Sequence, residues 1–219
     1  GDVAVNETFI AERLRAALKL RARLFAQPYY RLIHAEADGL PGLIIDRFAD
    51  AYVLQPNTAG MDKLTGEIAS ALREVVGSRT IIVRGDTAAR ALEGLEQEVR
   101  CISGDVDGPV AVEEDGVTFF ADLMSGQKTG WYFDQRDNHA FMAALSGEAT
   151  VLDLFTHTGG FAVPAARAGA KAVHGVDRSE AALVLAAKSA EVNGVARTCT
   201  FERAEVFPYL EAALARKDI

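Results

Sequence analysis

The chain has 219 residues, of which 49% are hydrophobic, and its formal net charge at pH 7 is −8. This composition predicts one or two globular domains and argues against a disordered chain. The negative net charge argues against a protein whose whole surface binds nucleic acid, because such a surface needs clustered Lys and Arg. No apolar run reaches the roughly eighteen residues of a membrane helix and no signal peptide pattern opens the sequence, so a cytoplasmic protein without membrane contact is expected.

The first half of the chain has the pattern of an α+β domain. An amphipathic helix is predicted over residues 8–24, with Thr8 as its N-cap. Three strand-like runs follow, YRLIHAE, LIIDRF and AYVLQP, and the turn residues between them predict an antiparallel meander. A helix over residues 61–76, a strand over 81–84 and a hairpin over 110–120 complete this half. We therefore predict a first domain over residues 1–123.

Strands and helices alternate in the second half of the chain. They are predicted at residues 151–155, 161–168, 172–176, 179–193, 198–203 and 206–215. Ser179 is the expected cap of the helix that follows it. Such alternation is typical of a parallel sheet with helices on both faces. The predicted fold class is α/β, with a Rossmann-like parallel sheet over residues 124–219.

This predicted sheet is incomplete within the sequence. A doubly wound sheet binds its ligand where the strand order reverses, and the strand needed there would begin at residues 217–219. Without that strand, residues 151–155 would form an open hydrophobic edge. We therefore expect the chain to be a truncated piece that contains the first half of the domain.

The stretch DLFTHTGGF, residues 153–161, follows a buried strand and opens a helix. Its glycines let a ligand approach the backbone closely, and the amides of the helix can receive an anionic group. A carboxylate fits better than a pyrophosphate, because the GxGxxG spacing of dinucleotide folds is absent. Taken alone, the motif fits an ordinary strand-to-helix turn equally well.

Two acidic residues after the next strands favour a nucleoside ligand. Asp177 ends the second strand, where a carboxylate can accept both hydroxyls of a ribose. Support of the following helix N-terminus is the alternative role for Asp177. Glu205 follows the third strand, where it could accept from an adenine amine while the Val206 amide donates to the ring. An ordinary residue in the first turn of a helix is the alternative for Glu205.

Several longer strings carry a family resemblance, namely YRLIHAEADGLPGLIIDRF, SGQKTGWYFDQRDNH, DLFTHTGGF, GVDRSEAAL and EVNG. Through them the chain resembles the bacterial 23S ribosomal RNA methyltransferases that make 5-methylcytosine, and their close relatives. GQKTGWYFDQR is the most specific string, since no general folding rule requires it. The resemblance implies a class I methyltransferase fold behind a small α+β domain, S-adenosylmethionine as methyl donor, and a pyrimidine base of ribosomal RNA as acceptor.

The resemblance also implies which residues bind the cofactor. They are Gln127, Asp134, Arg136, Asp153, Phe155, Thr158, Gly159, Asp177, Arg178, Glu205 and Val206. The methionine part would be lined by Asp153, Phe155, Thr158 and Gly159. Asp177 would hold the ribose, Arg178 would lie near the adenine, and Glu205 would meet the adenine amine. Asp134 could also cap a helix over residues 135–145. Glu205 stands where relatives usually have Asp, and Ser189 where they often have Asn.

No catalytic residue is predicted within this chain. Methylation at carbon 5 of cytosine needs a thiolate that first adds to carbon 6, and the family's cysteine lies beyond the position equivalent to Ile219. Cys101 lies in the first domain, and Cys199 opens a strand among apolar neighbours, where a thiol resists ionisation. Neither the cysteines nor the four histidines have the spacing of metal ligands. We therefore expect the chain alone to be inactive.

Two further functions remain as alternatives. An NAD-dependent oxidoreductase would use a similar strand and acidic residue, but the glycine spacing and the missing hydride-transfer site argue against it. A non-catalytic binding module of the same fold stays open, because a fold does not define a function. RNA is the expected partner, on the side of the first domain, and a homodimer is a further possibility.

Overall fold

The computed structural model describes residues 4–216. This range divides into two compact units, the first of residues 4–110 and 122–133 and the second of residues 111–121 and 134–216. The division differs from the boundary expected at residue 123, because the hairpin before that residue belongs to the second unit. No helix in the described range is long and apolar enough to cross a lipid bilayer.

A five-stranded sheet in the order β1-β2-β3-β4-β5 forms the centre of the first unit. Its strands are β1 Tyr29–His34, β2 Leu43–Phe48, β3 Ala51–Pro56, β4 Thr80–Arg84 and β5 Val99–Ser103. The first three strands pair antiparallel, which confirms the predicted meander. Strand β4 pairs parallel with β3, and β5, which the sequence pattern did not reveal, pairs antiparallel with β4.

Helix α1, Glu7–Leu24, packs against the sheet of the first unit and buries Ile10 and Leu14 completely. Its N-cap is Asn6, whose side chain accepts from the Phe9 amide at 3.0 Å. The prediction that Thr8 caps this helix was therefore wrong. Asn6 takes the role because its side-chain oxygen reaches an amide of the first turn that lacks a partner within the helix.

The helix expected over residues 61–76 consists of two helices, α2 Ala59–Lys63 and α3 Thr65–Val76. At the break, the Thr65 hydroxyl donates to the Asp62 carbonyl at 2.7 Å. This side-chain bond competes with the backbone pattern of a continuous helix. A short helix, α4 Ala88–Leu92, lies between β4 and β5.

The second unit contains a parallel sheet in the order β10-β9-β8, as predicted. Its strands are β8 Thr150–Leu154, β9 Ala172–Asp177 and β10 Cys199–Arg203. The helices of this unit are α5 Arg136–Leu145, α6 Ala162–Arg167, α7 Glu180–Val192 and α8 Val206–Arg216. The Ser179 side chain accepts from the Ala182 amide at 3.3 Å, which confirms the predicted cap of α7.

Strands β6, Val110–Glu114, and β7, Val117–Ala121, form a two-stranded sheet. This hairpin is tied to the end of α7 by Asn193, whose amide group donates to the Thr118 carbonyl at 2.6 Å and accepts from the Thr118 amide at 3.1 Å. The reciprocal pair of hydrogen bonds explains why the hairpin belongs to the second unit.

Candidate cofactor-binding site

Most residues of the second unit that were predicted to bind the cofactor lie at the carboxyl ends of its three parallel strands. Asp153 lies near the end of β8 and Asp177 ends β9. The Ala204 amide, directly after β10, donates to the Asp177 carbonyl at 3.0 Å. The loops that follow the three strands are therefore neighbours, which is the place where parallel α/β sheets bind their ligands.

The loop from β8 to α6 has an unusual backbone. Phe155 and His157 have φ angles of 61° and 52°, and Gly159 has a φ of 84°. Left-handed backbone is unfavourable for residues other than glycine, so the first two positions carry strain. The Thr156 amide donates to the Val176 carbonyl at 3.1 Å, which holds the loop against β9.

Asp153 fixes this loop from inside. Its carboxylate accepts from the Thr156 hydroxyl at 2.6 Å and from the Ala162 amide at 3.0 Å. Burial raises the pKa of Asp153, and the two hydrogen bonds oppose the shift. The Ala162 amide is engaged by Asp153 and the Val163 amide by the Gly159 carbonyl, so these amides of α6 are not available to an anionic ligand.

Asp177 connects the loop to helix α7. One carboxylate oxygen accepts from the His157 amide at 2.9 Å, and the other accepts from the Ser179 amide at 2.8 Å. The side chain is buried, with 5% of its surface exposed. Because an ionised carboxylate offers about four acceptor positions, it can still accept from the hydroxyls of a ribose. The two roles considered for Asp177, support of a helix start and ribose binding, are therefore compatible.

Close packing leaves no room for a side chain at Gly175, the glycine of β9. A Cβ atom at this position would lie 2.7 Å from the Phe201 ring and 3.0 Å from the Thr156 hydroxyl. Only glycine therefore lets the loop after β8 lie against β9 and β10 in this way.

An aromatic pair lies beside these carboxylates. The rings of Phe155 and Phe207 meet edge to face, with 6.2 Å between their centroids, and their exposed fractions are 64% and 72%. The sequence argument did not single out Phe207. The sequence could have indicated Phe207 only through its position, two residues after Glu205.

The remaining predicted residues of this edge are split between surface and core. Arg178 and Glu205 are exposed, and Thr158 and Val206 are buried. The Arg178 carbonyl accepts from the Arg203 side chain at 3.3 Å, and the Thr158 hydroxyl lies 3.4 Å from His157 Nδ1. Burial lowers the pKa of His157. The eight predicted residues from β8 to the start of α8 thus lie at one edge of the second unit.

Gln127 belongs to the first unit, where the Tyr132 hydroxyl donates to its side-chain oxygen at 2.6 Å. The backbone around Gln127 is anchored by the buried side chain of Arg84. Arg84 donates to the carbonyls of Leu123 at 3.1 Å and Gly126 at 2.7 Å.

Asp134 and Arg136 belong to the second unit. Asp134 lies in a 3-10 turn, Phe133–Gln135, and Gln135 is the residue at the N-cap of α5. The alternative role of Asp134 as the N-cap of this helix was therefore wrong, because the helix begins one residue later than predicted. Arg136 Nε lies 3.4 Å from a carboxylate oxygen of Glu114.

The two cysteines lie in different units. Cys101, in β5, is exposed, and Cys199, in β10, is buried. Burial, together with the negative charge of Asp153, raises the pKa of Cys199 to about 11. Between residues 4 and 216, no three His, Cys, Asp or Glu side chains are grouped so that they could hold a metal ion.

Comparisons with known proteins identify a family, curated relatives and solved structures that are similar to this chain. Residues 86–208 match the profile of the S-adenosylmethionine-dependent methyltransferases. The Ribosomal RNA large subunit methyltransferase I of Aeromonas salmonicida is 40% identical over 214 residues, which cover 95% of this chain and 54% of that relative. The chain thus spans about half the length of the curated relatives it matches.

Solved structures show the same fold. A structure from Streptococcus mutans aligns with a TM-score of 0.86 at 22% identity, covering 99% of this chain and 57% of its own. Another solved structure, complexed with SAH, aligns with the same TM-score, identity and coverage. The profile match over residues 86–208, more than half of the chain, places the chain in the S-adenosylmethionine-dependent methyltransferase family.

Proposed function

We propose that this chain forms the cofactor-binding part of an RNA methyltransferase that acts on large-subunit ribosomal RNA. The observation that carries the proposal is the geometry of Asp177, a buried carboxylate at the end of the middle strand that also holds the strained loop before it. The name of the Aeromonas salmonicida relative supports ribosomal RNA as the substrate.

The residues at this edge fit S-adenosylmethionine. Asp177 binds the ribose hydroxyls through its remaining acceptor positions. The exposed ring of Phe207 provides an apolar surface for the adenine, and Glu205 accepts from the adenine amine. Phe155, whose ring meets that of Phe207, lies at the methionine part. Asp153 shapes the loop at the methionine part. When bound, the cofactor supplies an electrophilic methyl group on its sulfonium.

The other predicted contacts complete the proposed site. Thr158 and Gly159 line the methionine part, and Arg178 and Val206 lie at the adenine. Asp134, just before helix α5, and Arg136, its first residue, are proposed to reach the cofactor, and Gln127, in the first unit, stays a prediction.

The proposed acceptor is carbon 5 of cytosine. This reaction requires a thiolate near the cofactor, because carbon 5 becomes nucleophilic only after a nucleophile has added to carbon 6. Cys199 does not meet the requirement, since burial raises the pKa of its thiol to about 11, and Cys101 is not among the residues predicted to bind the cofactor. The isolated chain is therefore proposed to bind the cofactor without transferring its methyl group. A cytoplasmic location and a homodimer stay predictions.

Isothermal titration calorimetry tests the cofactor assignment. The chain is titrated with S-adenosylmethionine, S-adenosylhomocysteine and NAD, and the measurement is repeated with Asp177→Ala and with Glu191→Ala, which removes an exposed carboxylate of α7. We expect binding of both sulfur ligands, a loss of roughly tenfold or more in affinity for Asp177→Ala, and no change for Glu191→Ala. Binding of NAD alone would contradict the proposal and favour an oxidoreductase.

A further inference from the structure

Two buried polar side chains of the second unit lie outside the set predicted to bind cofactor. Glu114, at the end of β6, and His139, in the first turn of α5, are 3% and 5% exposed. His139 Nδ1 lies 2.6 Å from a carboxylate oxygen of Glu114. The pair therefore locks the orientation of the imidazole ring.

The opposite edge of this ring contacts the loop from β8 to α6. A Cβ atom on Gly160 would lie 2.8 Å from His139 Nε2 and 3.0 Å from His139 Cε1. The ring also meets Phe161, the N-cap of α6, edge to face with 4.5 Å between the centroids. His139 thus packs directly against the backbone where the loop turns into the helix.

The loop is consequently held from two sides. Asp153 binds it from the sheet through Thr156 and Ala162, and His139 supports it from α5 at Gly160. Strained backbone persists only where its surroundings over-determine it, and this loop has two non-glycine residues with positive φ. A buried polar pair contributes little net stability, so its contact with the loop indicates that it serves to fix the loop conformation.

We propose that His139, oriented by Glu114, is a positioning residue that sets the loop at residues 155–161 for cofactor binding; this inference rests on the proposed function. It acts through the backbone of Gly160 and the ring of Phe161.

A cavity of about 290 Å³ borders the pair on the side of β6, α5 and α6. Its lining includes Glu114, His139, Ala140, Pro164 and Arg167. Removal of the imidazole would therefore enlarge an existing space that water can enter, and we expect the His139→Ala variant to fold.

A double-mutant cycle between His139 and Gly160 tests the contact. We measure S-adenosylhomocysteine affinity for Gly160→Ala, His139→Ala and the double variant. Each single variant should weaken binding roughly tenfold, because one pushes the loop away from the ring and the other removes its support. The double variant should bind no worse than His139→Ala, since the added methyl group then has room.

Gly159→Ala serves as the matched control. Its Cβ atom would meet Val163 and Ala186 rather than His139, and its φ of 84° strains any side chain. We expect His139→Ala not to rescue this variant. Additive losses in the Gly160 cycle, equal rescue of both glycine variants, or unchanged affinity of His139→Ala would overturn the proposal.

Hydrogen exchange separates this proposal from the assignment of the cofactor. The amides of His157 and Ala162 donate to Asp177 and Asp153, so their exchange rates report loop position without any ligand. Faster exchange in both single variants, reversed in the double variant relative to Gly160→Ala, supports the role of His139 even if the wild-type chain binds no cofactor. Unchanged exchange in the single variants would contradict it.

Discussion

The Asp177 carboxylate accepts a hydrogen bond from the His157 backbone amide at 2.9 Å, across the gap between two neighbouring strand ends. The residue proposed to bind the ribose therefore also holds the loop proposed to bind the methionine part. A change at either place should affect both parts of the cofactor site.

The stability of the second unit should depend on the protonation of Asp153. Burial raises its pKa in the folded state, so the folded state binds more protons than the unfolded state between the ordinary and the raised pKa. The contribution of Asp153 to stability is therefore largest at low pH and falls as pH rises through this window. The stability of the wild type relative to Asp153→Asn should accordingly fall as the pH rises above about 4.

Urea unfolding of both proteins at several pH values measures this difference. Glu180→Gln, which changes an exposed carboxylate in the first turn of α7, is the control and should show no such trend. An advantage of the wild type that grows with pH would contradict the raised pKa of Asp153.

Gly175→Ala should destabilise the second unit by about 1–3 kcal/mol, because the new methyl group overlaps the Phe201 ring. Phe201→Leu should recover part of the loss by reducing the volume opposite. The control is Gly147→Ala, since the nearest atom to its Cβ would lie 3.8 Å away. Thermal unfolding checks the series, and equal effects of Gly175→Ala and Gly147→Ala would refute the packing argument.

Phe207→Ala should weaken S-adenosylhomocysteine binding by about 1 kcal/mol, or roughly fivefold, because the ring, which meets that of Phe155, lies at the proposed adenine site. Phe141→Ala is the matched control, since Phe141 is 63% exposed but lies on α5. Calorimetry distinguishes the two variants. Similar losses for both would indicate a general effect on the unit rather than a contact with the ligand.

Cys101 and Cys199 should differ in their reaction with a thiol reagent. Cys101 is exposed, whereas burial raises the pKa of Cys199 to about 11, so at about pH 8 its thiolate fraction is very small. The native chain should therefore release one equivalent of chromophore with Ellman's reagent, and Cys101→Ser should release almost none. Rapid reaction of Cys199 in the folded chain would reopen it as a nucleophile.

Periodicity and turn chemistry predicted the parallel sheet of the second unit and the meander of the first, because both patterns are local. Strand β5 escaped prediction, since its residues have mixed polarity and it gains its place only by pairing with β4. The hairpin at residues 110–121 was recognised, but its attachment to α7 through Asn193 depends on residues 75 positions apart.

The order of residues along the chain specified the glycine-rich loop and the acidic residues after the strands, since these features depend on spacing. The methyltransferase family was indicated by the resemblance of several longer strings. Folding established which partners each side chain has. Asp153 accepts a hydrogen bond from Thr156 and so holds the loop. Phe207 contacts Phe155, and His139 packs against Gly160. Such contacts join distant elements through close packing, and no short-range pattern of residue types encodes them.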